Sequence, residues 1–351
     1  MKFTMTKLAA LAMTTALAST SAYAGGLDRS GQSISALFET GSYAELSYGM
    51  VTPSIEGVYA GAVPSGSVAE SYGSAGLAFK MDLNDKLSAA VIMDQPFGAA
   101  VDYVTPPYPL NGSSAHVDTV GLTALGRYKF NENMSVYGGV RYITASGDYT
   151  VNAALAPPAG YSSTYSAGSD IGYVVGAAYE KPEIALRVAL TYSSATTFAL
   201  DGTVGDLNAE MPQSVNLDFQ SGVAANTLVF GSIRWADWTE ASIVDTLAGA
   251  LIEYDQDVMS YALGVGRKFS DSFSGSVSLG YEAAQGGEAS NLSPTDGNTS
   301  IGIGGKYTSG NMEISGGVRY VMLGDATTEI IGADFSGNSA FGAGLKIAFR
   351  F

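Results

Sequence analysis

The most regular feature of this 351-residue chain is an alternation of apolar and polar residues with a period of two. It is clearest at the C-terminal end, where one face carries Phe341, Ala343, Leu345, Ile347, Phe349 and Phe351. The intervening positions carry Gly, Ala and the charged residues Lys346 and Arg350. Because successive side chains of a strand point to opposite sides of a sheet, this pattern predicts a β-strand with one apolar and one polar face.

The same alternation recurs between two kinds of connection. Six short polar turns lie at residues 82–86, 131–133, 180–183, 224–227, 270–272 and 308–311. Seven longer segments, rich in Gly, Ser, Pro and Asp, lie near residues 61–69, 105–116, 149–169, 201–212, 241–256, 284–298 and 325–337. Together they join fourteen strands, which we place near residues 42–60, 70–81, 87–104, 117–130, 134–148, 170–179, 184–200, 213–223, 228–240, 257–269, 272–283, 299–307, 312–324 and 339–351. An even strand number with short turns on one rim and long loops on the other is typical of bacterial outer-membrane barrels, so we predict an all-β, antiparallel transmembrane β-barrel.

Four arginines fall on the polar face of the predicted strands: Arg127, Arg141, Arg234 and Arg319. We expect them to point into the lumen, because a charge on the lipid face near the midplane costs about 2–4 kcal/mol. Two roles are open to them. They could pair with Asp and Glu inside the barrel, or one or two of them could bind the carboxylate of an anionic ligand.

The N-terminus has the three parts of a secretory signal peptide. Lys2 and Lys7 form a basic region, residues 8–17 are apolar, and Ala22-Tyr-Ala24 is a cleavage site, so residues 1–24 are predicted to be removed. The apolar stretch is shorter than the roughly 20 residues of a membrane-spanning helix. The chain contains no Cys, which fits passage through an oxidising periplasm. We therefore expect the outer membrane of a Gram-negative bacterium as the final location.

Composition limits the partners. The net charge is −16, and removal of residues 1–24 takes away two lysines and no acid, giving −18, so a nucleic-acid partner is excluded. The abundance of Gly (44) and Tyr (21) suits a glycine-rich wall with aromatic girdles. The terminal Phe351 resembles the ending that the barrel assembly machinery reads in outer-membrane proteins. The expected surroundings are outer-membrane lipid and lipopolysaccharide, and we expect a monomer.

Residues 25–41 precede the first strand and lack its alternation. They include the apolar residues Ile34, Leu37 and Phe38, which a disordered periplasmic tail, the alternative, would more often lack. We predict that this segment folds back into the lumen as a short plug, or hatch. The predicted organisation is a signal peptide (1–24), a hatch (25–41) and a barrel (42–351).

The third predicted strand contains a break signal, Gln95-Pro96-Phe97-Gly98. Proline cannot donate a ladder hydrogen bond, so within a closed sheet it implies a bulge, a kink or a gap, and the adjacent Gly eases the distortion. In lipid such a break must be covered by protein or must line a cavity. We predict a lateral opening at these residues; the alternative is that Pro96 lies near the outer rim and starts a loop.

The signal peptide, the plug-length N-terminus and four strings resemble the FadL family of outer-membrane transporters of long-chain fatty acids and other hydrophobic compounds. The strings are Tyr43-Ala-Glu-Leu-Ser-Tyr-Gly-Met-Val-Thr-Pro53, Asp94-Gln-Pro-Phe-Gly98, Met211-Pro-Gln-Ser214 and Gly231-Ser-Ile-Arg-Trp-Ala-Asp-Trp238. The resemblance implies a fourteen-stranded barrel closed by an N-terminal hatch. It also implies that a ligand lodges between extracellular loops, moves to a lumen pocket and leaves sideways at the kinked third strand. The chain departs from the family in its short hatch, its smaller loops and the absence of an Asn-Pro-Ala string.

The leading hypothesis is passive uptake of a hydrophobic carboxylate or hydrocarbon, since burial of each CH₂ contributes about 0.8 kcal/mol to capture in an apolar pocket. Candidate ligand contacts in the hatch and lumen are Arg29, Ile34, Leu37, Phe38 and Phe97. Arg29 could instead form a salt bridge with a barrel acid. A candidate outer docking groove contains Tyr161, Tyr165, Phe198 and Leu200, for which an interfacial aromatic girdle is the alternative.

Two other functions are alternatives for a barrel of this kind. A porin-like channel for small hydrophilic solutes would have an open polar lumen. A barrel enzyme is disfavoured, because the single His116 lies in a predicted loop and no Gly-x-Ser-x-Gly elbow accompanies it. No cofactor and no metal site are predicted; Asp255 and Asp257 could hold a divalent ion, but two acids in a loop are too little to predict one.

Overall fold

The computed structural model describes residues 27–156 and 158–351. The predicted signal peptide, residues 1–24, lies outside the described residues. No helix in the described ranges is long and apolar enough to cross a membrane. The helical turns within them are three short 3₁₀ helices, Ser35–Phe38, Pro182–Ile184 and Trp238–Glu240.

Fourteen strands form a closed antiparallel barrel, as predicted. They are β1 (Tyr43–Ser54), β2 (Tyr72–Asp82), β3 (in two halves, Leu87–Asp94 and Gly98–Tyr103), β4 (Ser113–Lys129), β5 (Met134–Val151), β6 (Tyr161–Lys181), β7 (Leu186–Ser193), β8 (Ser214–Ala224), β9 (Thr227–Ala236), β10 (Val258–Lys268), β11 (Phe273–Glu282), β12 (Asn298–Ser309), β13 (Met312–Leu323) and β14 (Ser339–Arg350). Each strand pairs with its neighbours along the chain, and β1 pairs with β14 from Tyr43–Arg350 to Ser54–Ser339, which closes the wall.

The two faces of the wall differ as the alternation predicts. In β5, Val136, Val140 and Tyr142 are exposed on the outside, whereas Ser135 and Arg141 are buried on the inside. An apolar outer face around a polar interior is the pattern of a barrel that spans a lipid bilayer.

Two small sheets cover the long-loop end of the barrel. One, the outer loop sheet, contains Thr196–Leu200, Leu207–Met211, Ser242–Asp245 and Gly249–Glu253; the other contains Glu56–Tyr59, Val63–Ser67, Glu288–Ala289, Ala326–Thr328 and Asp334–Phe335. Two strand predictions, 42–60 and 184–200, were therefore too long, because each runs from the wall into a small sheet. Alternation continues through both pieces, so periodicity alone does not show where a strand changes partners.

Three wall strands extend further into the predicted loops than expected. β4 begins at Ser113, β5 ends at Val151 and β6 begins at Tyr161. His116 therefore lies in a strand and not in a loop, which corrects the prediction. These extensions are rich in Ser, Thr and Gly, a composition that indicates a loop when pairing partners are unknown.

The interruption of β3 is a displaced register. Asp94 pairs with Gly121 of β4 and Gly98 pairs with Asp118, so four steps along β3 match three steps along β4. One extra residue in a strand is a bulge, and it reverses which positions face inward. Since β3 continues for six residues after Asp94-Gln-Pro-Phe, Pro96 lies within the strand and does not start a loop.

Candidate functional site

The ladder of backbone hydrogen bonds between β2 and β3 is interrupted. The first half of β3 pairs with β2 up to Met93, and pairing resumes only at the isolated bridge formed by Val101. Residues 71–76 on the β2 side and residues 94–99 on the β3 side lie between these points. We call the gap in pairing between these two stretches the wall opening, and the stretches are its two margins. Backbone groups in such a stretch need other partners, because lipid provides none.

The start of the N-terminal segment, residues 27–42, supplies such partners on the β3 side, and on the β2 side the N–H of Ala75 donates to Oε1 of Gln95 at 3.0 Å. Asp28 forms a bridge with Phe97 on the edge of β3 that faces the opening. Two backbone hydrogen bonds of 2.8 Å flank the bridge, donated by Arg29 to the carbonyl of Pro96 and by Gly98 to the carbonyl of Leu27. The segment thus replaces β2 as the neighbour of β3 at the interruption.

The side chain of Arg29 lies in the opening itself. Its guanidinium carbon is 4.2 Å from the centre of the Tyr72 ring, on the β2 side. Its Nη1 is 3.4 Å from Oδ1 of Asp118 on β4, and a Cβ at Gly98 would overlap the guanidinium. Arg29 is buried by these contacts, so it occupies the space between the two margins.

The other charged contact of this region reaches the opposite wall. Arg234 of β9 donates from Nε to Oδ2 of Asp28 at 2.7 Å, and from Nη1 to Ser214 and Asn216 of β8 at 2.9 and 2.8 Å. Asn216 in turn donates to the carbonyl of Gly31 at 2.9 Å. Strands β8 and β9, which lie across the lumen, therefore hold Asp28 and Gly31 of the N-terminal segment.

The middle of the segment packs nearer the short-turn end of the barrel. Ile34, Leu37 and Phe38 are buried in an apolar cluster with Tyr137 and small wall residues. The Phe38 ring lies 4.7 Å from the guanidinium carbons of both Arg127 and Arg187. These three candidate ligand contacts therefore belong to a different cluster from Phe97, and the structure does not bring them together.

The remaining candidate arginines are engaged with the barrel. Arg127 forms a salt bridge with Glu180 and donates to Ser135 at 3.0 Å. Arg141 donates from Nε to Thr123 at 2.8 Å. Arg319 lines a lumen cavity of about 150 Å³ between the segment and the wall. Salt bridges to Glu180 of the barrel and to Asp28 of the N-terminal segment therefore account for the contacts of Arg127 and Arg234.

A buried apolar column runs from the opening to the outer loop sheet. It consists of Leu27, Phe97, Ile143, Ala145, Tyr165, Phe198, Leu200, Leu207, Ala209, Met211, Ala236, Trp238, Ala241, Ile243, Ile252 and Val258. Trp238 joins the two ends, because its ring is 6.4 Å from the Phe97 ring and 4.8 Å from the Tyr254 ring. Tyr165, Phe198 and Leu200, predicted as an outer groove, thus share one cluster with Phe97 of the predicted opening.

The two tyrosines of the predicted groove converge on one acid of the outer loop sheet. The hydroxyl groups of Tyr161 and Tyr165 each donate to Oδ2 of Asp245 at 2.6 Å. Burial raises the pKa of Asp245, but these two hydrogen bonds and two backbone N–H donors outweigh it, so the pKa lies below its ordinary value. The buried positions of Tyr165 and Phe198 do not match an aromatic girdle facing lipid headgroups.

The two acids considered for a divalent ion have different surroundings. Asp257 accepts hydrogen bonds from the Trp235 indole at 3.0 Å and the Thr239 hydroxyl at 3.1 Å. Asp255 lines a surface pocket that also contains Glu288 and Glu329. Burial and repulsion by the neighbouring carboxylates raise the pKa of Glu329.

Sequence reasoning missed three residues that form the site: Leu27, Tyr72 and Trp238. Trp238 stands in the Arg-Trp-x-Asp-Trp string used for the resemblance, so its motif gave a signal. Leu27 and Tyr72 gave none, because their importance comes from contacts between distant parts of the chain.

The architecture is that of a fourteen-stranded transmembrane β-barrel with an interrupted third strand. Its structure is similar to a Pseudomonas aeruginosa FadL homologue, with 14% identity, 96% of this chain and 98% of that chain covered, and a TM-score of 0.75. It is also similar to the P. putida toluene transporter TodX (14% identity, 90% and 91% covered, TM-score 0.69) and the Ralstonia pickettii toluene transporter TbuX (14%, 90% and 91%, TM-score 0.65). The chain therefore has the FadL fold, which confirms the resemblance at the level of the fold. No protein-family model and no curated protein matches the sequence. Two of these neighbours are named as toluene transporters, and a further similar structure is named CymD monoaromatic hydrocarbon channel (13% identity, 90% of each chain covered, TM-score 0.63).

Proposed function

We propose that this protein is an outer-membrane channel for passive uptake of hydrophobic compounds and that the wall opening is its lateral exit. One observation carries the proposal. Leu27 packs in the apolar column with Phe97, and its carbonyl also accepts a hydrogen bond from the N–H of Gly98 at the wall opening. A ligand that follows the column therefore arrives at the part of the chain that must move to let it leave.

The column supports capture from the outer side. Its residues come from the outer loop sheet and the upper wall, and they provide an almost purely apolar path towards Phe97. Each buried CH₂ of a ligand contributes about 0.8 kcal/mol, so a chain or ring of several carbons is retained against water. The ligand enters by displacing packed side chains of the column.

The contacts at the exit support a gate that opens by thermal motion. Residues 27–29 are joined to β3 by two backbone hydrogen bonds, each with a net contribution of about 0.5–1.5 kcal/mol. Further along the segment, Glu39 pairs with Arg350 at 2.6 Å and Gly41 accepts a hydrogen bond from Lys80 at 2.9 Å. Withdrawal of the first residues also breaks the buried salt bridge between Asp28 and Arg234, whereas the contacts of Glu39 and Gly41 keep the rest of the segment bound.

The charge at the exit supports both ligand types left open by the sequence. Asp118, the partner of Arg29, is 69% exposed and the pair is 3.4 Å apart, so the carboxylate of a fatty acid could take its place. A neutral hydrocarbon would need only the movement of Arg29. The neighbours named as toluene transporters favour including hydrocarbons in the test.

The porin-like alternative has less support. The N-terminal segment crosses the lumen, and the cavities on its two sides measure about 150 and 70 Å³. Both polar and apolar groups line these cavities, and small hydrophilic solutes would need the whole segment to leave its contacts with several strands.

The test is a reversible lock across the exit. Because Asp28 and Phe97 are a non-hydrogen-bonded antiparallel pair, their Cα atoms lie about 4.5 Å apart, within disulfide range. The chain has no other Cys, so the double variant Asp28→Cys/Phe97→Cys has one pairing. Uptake of a labelled long-chain fatty acid and of toluene is measured in proteoliposomes with the disulfide oxidised and then reduced.

We expect uptake at least 10-fold lower in the oxidised form, with recovery on reduction. The reduced form of the same protein is the matched control, and each single variant under oxidising conditions controls for the substitutions. Equal uptake in the two redox states would exclude this exit. Flux of a sugar of similar mass, without flux of either apolar compound, would favour the porin-like function.

A further inference from the structure

Four ionisable side chains form a group on the outer side of the wall where the two margins of the opening rejoin. They are Glu70, on the segment leading into β2, Asp102 of β3, His116 of β4 and Asp148 of β5. Their neighbours Val101 and Ala115 are buried on the inner side, so alternation places the group outside. His116 and Asp148 are direct partners in the ladder between β4 and β5.

The distances within the group match the spacing of ligands around a metal ion. Nε2 of His116 is 3.4 Å from Oδ2 of Asp102 and 3.8 Å from Oε2 of Glu70. One ligand atom from each residue lies within 4.8 Å of the other two. Donor atoms bound to zinc at 2.0–2.2 Å in tetrahedral geometry lie roughly 3.4 Å apart, so small side-chain movements would complete such a site.

Asp148 gives an independent indication. Its Oδ2 is 3.0 Å from Nδ1 of His116, on the other side of the ring. A carboxylate in this position fixes the tautomer in which Nδ1 carries the proton, as in metal-binding histidines. The lone pair of Nε2 then faces Glu70 and Asp102, and either a metal ion between the three atoms or a proton on Nε2 offsets their repulsion.

We propose that Glu70, Asp102 and His116 bind one divalent transition-metal ion of the zinc class, with Asp148 as the positioning residue. One imidazole together with carboxylates favours zinc-class ions over Mg²⁺ or Ca²⁺, which prefer oxygen ligands alone. Glu70 is 54% exposed, so an ion can reach the group, and a water molecule completes the coordination.

The position of the site gives it a structural consequence. The N–H of Glu70 donates to the carbonyl of Ala100 at 3.2 Å, which is the first contact between the two margins beyond the opening. A metal ion bound to Glu70, Asp102 and His116 would join the β2 side to β3 and β4 at this place. It would limit how far the opening can extend towards the outer rim. Metal binding itself does not depend on the proposed transport function.

The test uses the full barrel in detergent after treatment with a chelator. Zn²⁺ is titrated by calorimetry, the bound metal is counted by mass spectrometry, and Co²⁺ is used as a spectroscopic probe of nitrogen and oxygen ligands. We expect one Zn²⁺ per chain and a Co²⁺ absorption band that disappears in His116→Gln. Glu70→Gln, Asp102→Asn and His116→Gln should each weaken binding at least 10-fold.

Asp148→Asn separates positioning from ligation. It should keep one Zn²⁺ at saturation and weaken its affinity about 10–100-fold, the usual effect of losing such a partner. The matched control is Glu288→Gln, in the acidic surface pocket with Asp255 and Glu329, which should leave the affinity unchanged. The proposal is overturned if Zn²⁺ stays below stoichiometric amounts, or if Glu288→Gln abolishes binding while His116→Gln does not. The first result would mean that a protonated His116 bridges the carboxylates without metal.

Discussion

The guanidinium of Arg29 stacks on the ring of Tyr72, with its carbon 4.2 Å from the ring centre. Tyr72 is the first residue of β2, and Arg29 pairs through its backbone with β3, so this contact joins the two margins of the wall opening from within. The barrel wall is completed at this place by a side chain of the N-terminal segment and not by a ladder between neighbouring strands.

Removal of this side chain should loosen the opening. A guanidinium stacked on a ring contributes roughly 1–2 kcal/mol when it is partly desolvated, which corresponds to about a 10-fold change in an opening equilibrium. We expect Arg29→Ala to raise amide hydrogen exchange at Phe97 and Gly98 about 10-fold, measured by mass spectrometry in detergent. Arg29→Lys, which keeps the charge, should give a smaller increase. Unchanged exchange in Arg29→Ala would show that the backbone hydrogen bonds alone hold the opening closed.

Gly98 offers a second route to the same state. A Cβ at this position would occupy the space of the Arg29 guanidinium, so Gly98→Ala should displace Arg29 without removing it. We expect faster exchange in Gly98→Ala and no further effect of Gly98→Ala when it is combined with Arg29→Ala, because both act on one contact. Gly126→Ala on β4, where a Cβ would make only an ordinary van der Waals contact 4.0 Å from the carbonyl oxygen of Gly138, is the control. Additive effects would contradict the shared contact.

The sequence predicts the wall strands well because the signals that identify each strand lie within that strand. Alternation, short turns and lumen arginines are local signals, and the fourteen strands agree with the structure in number and order. The break at Pro96 is also a local signal, because proline lacks the backbone N–H that a residue within a strand ladder donates. What fills that break cannot be predicted in this way, since Arg29 and Tyr72 are far apart in sequence and neither has an unusual neighbour.

The outer loop sheet shows a second limit of prediction from the sequence. Thr196–Leu200 has the alternation of a strand and was assigned to the wall, but it pairs with Leu207–Met211 outside it. Conversely, the start of β6 near Tyr161 has the composition of a loop and is a strand. Pairing decides both cases, and pairing is a property of two segments together. For the candidate residues on these two segments, the sequence therefore does not predict which strands they pair with.

Phe38 should anchor the N-terminal segment. Its ring lies between the guanidinium groups of Arg127 and Arg187, 4.7 Å from each, and edge-on to Tyr137. Phe38→Ala should cost about 3–5 kcal/mol of segment binding and strongly raise hydrogen exchange at residues 33–41. Phe38→Leu keeps most of the burial and loses the cation–π contacts, so a cost of about 1–2 kcal/mol is expected. Equal exchange in Phe38→Leu and the unmodified protein would assign the anchoring to burial alone.

Trp238 should report on ligand in the apolar column. The chain has two Trp residues, and Trp238 is the one that lies between the Phe97 and Tyr254 rings. In a Trp235→Phe background, added toluene or fatty acid should change the fluorescence of Trp238 in a saturable way, because ligand displaces the rings around it. Trp238→Phe with Trp235 retained is the control and should show no saturable change. A linear, unsaturated response would indicate partition into detergent.

Asp245 should make the outer loop sheet sensitive to acid. Its pKa lies below the ordinary value near 3.9, because hydrogen bonds from Tyr161 and Tyr165 outweigh the effect of burial. A group with a depressed folded pKa stabilises the fold above its unfolded pKa, and this stabilisation is lost as the pH falls through the folded pKa. We therefore expect the sheet to be intact at neutral pH and to loosen only below about pH 4, as followed by the near-ultraviolet circular dichroism of the tyrosines. Asp245→Ala should loosen it at all pH values by about 1–3 kcal/mol, since buried hydroxyl donors lose their acceptor. Asp201→Ala, at an exposed side chain nearby, is the matched control, and a pH transition that persists in Asp245→Ala would assign the acid sensitivity to another group.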